Sequence, residues 1–192
     1  MNKIFTKPVL VFISLFFAMA ATRYHHFGSI THLPDASLAV FFLAGFLLRN
    51  KSVFPILLLQ AGVIDYLAIT LGGSSDWCVT SAYWFLIPAY GSLWLAGRWY
   101  SSVHKLAWRS LLPLFASLFV GTSMAFLFSN GSFYWLSGRY TDPNWSEYIE
   151  RFAQYYPSYL SSAFSYIVFI VFIVAIFRIV KNIENNKQTK LG

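Results

Sequence analysis

"VFPILLLQAGVIDYLAITLGGSSDWCVTSAYWFLIPAYGSLWLAG", residues 53–97, decides the fold. Two apolar runs, 53–71 and 79–97, flank a short polar gap. A helix needs about 20 residues to cross the hydrocarbon of a bilayer, and each run is close to that length. In lipid every backbone polar group must be paired within the chain, so only helices or closed barrels can cross. The two-residue alternation of a barrel strand is missing from both runs, which leaves helices.

Similar runs fall at 8–22, 35–48, 107–128 and 158–180, of which 35–48 is short and must borrow from its flanks. The expected fold is an all-α membrane protein, a single integral domain over 1–192 with six transmembrane helices. Composition agrees. The 192 residues are 57% hydrophobic, 20% aromatic and 11% charged, against about 25% charged in soluble domains. At the start, Lys3 and Lys7 precede an apolar stretch ending in Ala18-Met19-Ala20, the outline of a cleavable signal peptide. An uncleaved first span is the simpler account, because the rest of the chain is itself membranous.

The formal charge of +7 is explained by orientation rather than by nucleic acid. With the N-terminus inside, Lys3, Lys7, Arg49, Lys51, Arg98, Lys105, Arg109, Arg178, Lys181, Lys187 and Lys190 all fall on inner segments. Only Arg23, Arg139 and Arg151 fall outside. This bias predicts both termini in the cytoplasm. It places the polar gap on the outer face, together with a long segment, "SNGSFYWLSGRYTDPNWSEYIERFAQYYPSY", residues 129–159. A loop of that length is usually functional or disordered, and its aromatic content argues against disorder. It reads as an aromatic-rich outer loop forming a lid over a cavity. The plainer alternative is an interfacial aromatic belt. "NGS" and "NWS" within it match a glycosylation acceptor, a pattern too short to carry weight.

Chemistry has few candidates. Asp65 lies inside an apolar helix, where an ionisable group is costly and marks function by default. It sits roughly 9 Å below the outer end of its helix, and Tyr83 roughly 8 Å down the next, at 1.5 Å per residue. An Asp65–Tyr83 hydrogen bond is expected, either as a site or as interhelical packing. Cys78 is the only cysteine, which excludes an internal disulfide and any CxxC motif. With Ser75 or Asp76 as N-cap it would stand in the first helical turn, where a thiol's pKa falls. Asp76 opposes that effect. A thiolate there is a soft metal ligand, and a small packing residue is the bland reading. His25, His26 and His32 crowd the first outer loop without helical metal-site spacing, which favours solvated side chains or contacts to a ligand's polar groups. Ser14, Ala18 and Thr22 form a small-residue stripe of the kind that lets helices approach. No Walker motif or serine-hydrolase elbow is present.

"TRYHHFGSITHLPDASLAVFFLAGF", "DYLAITLGGSSDWCVTSAYWFLIPAYGSLWLAGRWY" and "SNGSFYWLSGRY" together resemble the BtuM family, the cobalamin-specific S components of energy-coupling-factor (ECF) transporters. The likeness covers most of the chain and is weakest at its ends. It implies cobalamin uptake across the bacterial inner membrane, with the corrinoid as substrate. In the family a cysteine at the start of helix 4 ligates cobalt axially, a position matched by Cys78. The accompanying Asp and Tyr are matched by Asp65 and Tyr83. The resemblance also implies removal of cyanide from cyanocobalamin, with Cys78, Asp65 and Tyr83 as the catalytic group. The amides of a corrin suit His25, His26, His32, Asn130 and Tyr134 as further binding residues. Partners implied are the lipid bilayer and an ECF module of a transmembrane coupling subunit and ATPases. Family docking on that subunit uses small residues of helix 1, which Ser14 and Ala18 fit only loosely. An S component for another vitamin or a metal ion, or a membrane thiol enzyme, are the competing expectations.

Overall fold

The computed structural model describes residues 8–23, 34–72, 76–77, 79–105 and 107–191, and of 182–184 and 186–191 the backbone only. Cys78, His25, His26 and His32, and Ser75 as a candidate cap, lie outside the described residues. Among the described residues the regular structure is entirely helical. The elements are α1 (Pro8–Arg23), α2 (Ser37–Leu47), α3 (Val53–Thr70), α4 (Leu86–Val103), α5 (Leu111–Phe126), α6 (Ser132–Leu136) and α7 (Trp145–Leu191). A 3-10 turn, Ser81–Phe85, leads into α4, and another, Trp108–Ser110, into α5. Three stretches are long and apolar enough to cross a membrane: Val53–Thr70, Trp108–Leu136 and Trp145–Lys181. The apolar helices α1 and α2 are shorter.

α2 is the hub. Its 11 residues span only about 17 Å at 1.5 Å per residue, less than the roughly 30 Å of a hydrocarbon core. Residues Ser37 to Gly45 are all buried, as expected of a helix apolar on every side. α1, α3, α4, α5 and α7 all touch it. The tightest packing is against α4, and two glycines permit it. A Cβ at Gly45 would stand 2.0 Å from the Trp94 carbonyl oxygen, and one at Gly97 would stand 2.0 Å from that of Phe42. Each helix thus presses its backbone onto a bare position of the other, the close approach that small residues allow between membrane helices. Phe41 stacks on Tyr90 in the same interface, with ring centroids 4.3 Å apart.

The segment expected as a long outer loop is mostly helix. α5 runs through a π-helical turn, Leu127–Gly131, into α6 without a break. Gly138, at φ 70°, takes the left-handed conformation that commonly ends a helix, and the chain turns back. α7 then begins at Trp145, not near 158. Asn144 is its cap: the Asn144 side chain accepts from the Glu147 amide at 3.0 Å, as short polar residues do at helix starts. The "NWSE" tetrad is therefore a helix-start signal. Hydropathy misread the region because aromatic and polar residues interrupt the apolar run, whereas helix packing needs only one apolar face. The two arms are zipped by aromatic pairs, Trp135–Trp145 at 4.9 Å and Tyr134–Tyr148 at 5.5 Å. Arg151 lies over the Tyr140 ring at 4.7 Å. The segment is thus a helical hairpin, with a link over 137–144.

The start of α4 also differs from expectation. The helical path opens at Ser81, capped by Thr80, whose hydroxyl accepts from the Ala82 amide at 3.2 Å. The Asp76 carbonyl accepts from the Val79 amide at 2.8 Å. The expectation that Cys78 stands in a first helical turn lies outside the described residues. Thr80 caps this turn as short polar side chains do when they bond nearby backbone.

Candidate functional site

At one end of the bundle, helices α1 to α4 converge on a buried guanidinium. Arg23, in the last turn of α1, meets Asp65 of α3 side-on: Nε donates to Oδ1 at 2.7 Å and Nη2 to Oδ2 at 2.6 Å. Its remaining nitrogen, Nη1, donates to Asp35 at 3.2 Å, to Ser37 Oγ at 3.0 Å and to the Tyr90 hydroxyl. The planar fork of arginine suits such bidentate pairing. Arg23, Asp65, Ser37 and Tyr90 are buried, while Asp35 and Tyr83 are partly exposed. Tyr83 donates to Asp65 Oδ2 at 2.8 Å, so the hydrogen bond expected from matched depth is present.

The surrounding chain holds this cluster in place. Asp35 accepts from the Ser37 amide and hydroxyl through Oδ1, and its carbonyl accepts from Ser162 of α7. Thr22 accepts from the Ala36 amide at 3.1 Å. Of the small-residue stripe on α1, Ser14 and Ala18 are exposed and Thr22 is buried in this network, so the three do not share one free face.

Two carboxylates against one guanidinium make a buried group rich in acceptors. Asp65 accepts three hydrogen bonds, at least one on each oxygen. Its lone pairs are thus engaged by Arg23 and Tyr83. Its chemistry is to orient Tyr83. Tyr83 is the member that couples the interior to the surface: its proton is committed to Asp65, leaving its oxygen able to accept from outside.

Above Tyr83 the segment carrying residue 78 is fastened to the hairpin at points on both sides. Arg139 donates from Nε to the Trp77 carbonyl at 3.3 Å and lies over the Trp77 ring at 4.5 Å. Ser81 donates to the Leu136 carbonyl at 3.0 Å. Of the two hairpin residues expected to bind, Tyr134 is buried, and its hydroxyl is engaged by Asn144 and Glu147 within the hairpin. Asn130 lies in the π-helical turn, with a buried Oδ1 that has no hydrogen-bond partner.

Sequence reasoning missed Arg23, Asp35, Ser37 and Tyr90. Arg23 and Asp35 were placed in a loop and on the edge of a run. The available signal was Asp65 itself, because a carboxylate inside an apolar helix requires a countercharge. Arg23, directly ending an apolar helix, was the nearest supply. Neither a protein-family model nor a curated protein matches the chain.

Proposed function

We propose that the chain is a cobalamin-binding S component of the ECF type, a protein of six membrane spans with both ends in the cytoplasm of a bacterium. It takes up the corrinoid across the inner membrane, with Cys78 as the axial cobalt ligand and an ECF module supplying energy. The observation that carries the reading is the double fastening of the segment around residue 78. Trp77 and Ser81 are both bonded to the aromatic hairpin, and Tyr83 is tied below to Asp65. The aromatic hairpin suits a flat corrin face and the Tyr83 hydroxyl suits an amide, the mixture expected of a cofactor site.

Cyanide removal is then a ligand exchange. The Cys78 thiolate donates its electron pair to cobalt(III), a Co–S bond forms, and cyanide departs with the electron pair of the Co–C bond. No electron is gained or lost by the metal. Soft sulfur is a competent ligand for such a centre. The membrane thiol-enzyme reading needs a base near the thiol, and Asp65 is already bonded to Arg23 and Tyr83.

The test is the visible spectrum of protein purified after growth with cobalamin. A bound corrinoid absorbs strongly, and Cys78→Ala shifts the bands or loses the ligand. A colourless protein without measurable corrinoid affinity overturns the proposal. With cyanocobalamin, wild type loses the cyanide-ligand spectrum while Cys78→Ser retains it. Equal rates for the two refute the thiolate step alone.

A further inference from the structure

The opposite end of the bundle carries a cavity of about 580 Å³. It opens between the C-terminal half of α7 and the ends of α2, α4 and α5. Leu47, Leu114, Val171 and Val174 line its depth, and Lys105, Arg178 and Lys181 stand at its rim. No Asp or Glu is among its lining residues, and among the described residues the ion pairs all belong to Arg23 at the other end. His104 also lines the cavity; partial burial and the charge of Arg178 hold its imidazole below the usual histidine value. Among the described residues the rim therefore carries three cations and no anion. Trp108, exposed beside it, is a residue type enriched where hydrocarbon meets headgroups.

We propose that this cleft binds an anionic phospholipid, its phosphate against Lys105, Arg178 and Lys181 and an acyl chain along Leu47, Leu114 and Val171. Charge complementarity selects the occupant. A basic pocket between membrane helices suits an acidic headgroup, and a zwitterionic lipid would bring its own ammonium against the same cations. The apolar depth adds the burial of chain methylenes. On α7 next to the cleft, Phe169, Phe172, Ile176 and Phe177 are exposed among the described residues.

The experiment is native mass spectrometry of the detergent-purified full chain, titrated with phosphatidylglycerol or with phosphatidylcholine of the same acyl chains. The expected result is about tenfold tighter retention of phosphatidylglycerol, within the range set by a few basic residues near an acidic surface. Equal retention of the two lipids, or retention of neither, overturns the proposal; the second outcome would leave the cleft to a protein helix. Arg178→Gln lowers phosphatidylglycerol affinity severalfold, whereas Lys51→Gln, which removes a charge outside the cleft, leaves it unchanged. If Lys51→Gln weakens binding equally, the attraction is diffuse surface charge and no site exists. The wild-type comparison decides the matter even where a variant fails to fold.

Discussion

Asp65 and Arg23 lie 42 residues apart and meet in a two-bond, side-on pair inside the helix bundle. Tyr83 adds a third hydrogen bond to the same carboxylate. Removing one member of a buried ion pair strands the other, at a cost of about 3–5 kcal/mol, while replacing both by apolar groups costs far less. Asp65→Ala is therefore expected to lower the unfolding temperature in detergent sharply. The double variant Arg23→Leu, Asp65→Leu should recover most of the loss. Tyr83→Phe removes one hydrogen bond to a charged group and should cost about 1.5–3 kcal/mol. Circular dichroism melts of the four proteins check the series; a double variant no better than Asp65→Ala would show that the pair is not the source of the loss.

The contact of α2 with α4 depends on two positions without a side chain. Gly97→Ala puts a methyl group 2.0 Å from the Phe42 carbonyl oxygen. Two helix backbones must then separate, and the expected cost is at least about 3 kcal/mol, the upper range for overpacked cores. Gly91→Ala is the comparison, because its nearest neighbour is a Phe54 ring atom at 3.9 Å. That variant should be neutral or slightly stabilised, since alanine is the better helix former. Equal melting temperatures for the two would contradict the close approach.

Arg139 clasps Trp77 through its backbone and its ring. Because the chain has one cysteine, thiol labelling reports on residue 78 alone. Arg139→Ala should raise the rate of Cys78 alkylation by a water-soluble maleimide by a factor of a few, as one fastening of its segment is lost. A rate identical to wild type would mean that Ser81 and Leu136 suffice to hold the segment.

Legibility in the sequence followed the physical signal available at each place. The runs at 8–22, 35–48 and 53–71 became Pro8–Arg23, Ser37–Leu47 and Val53–Thr70, because hydropathy alone marks a helix that lipid or other helices surround. The helical path into α4 opens at Ser81 because one hydroxyl, that of Thr80, caps it there. The hairpin was misread because its helices bury rings against rings: Phe126, Tyr134 and Tyr148 carry a helical face that average hydropathy hides. At the site, Asp65 and Tyr83 were legible from depth along adjacent helices. Arg23 and Tyr90 were not, since their meeting depends on how four helices are arranged, and local spacing carries no such information.

The Arg23 cluster imposes an order on biogenesis. Its members come from α1, the 35–37 segment, α3 and α4, with Arg23 and Tyr90 separated by 67 residues. A growing chain delivers the guanidinium first and its bidentate partner only when α3 has emerged. Until then Arg23 has no buried carboxylate to meet, and a free charge at the end of an apolar helix stays at the membrane surface, where water solvates it. A chain lacking α3 is therefore expected to leave the Arg23 end of its first helix solvated, and the bidentate pair forms only when the two helices are both present.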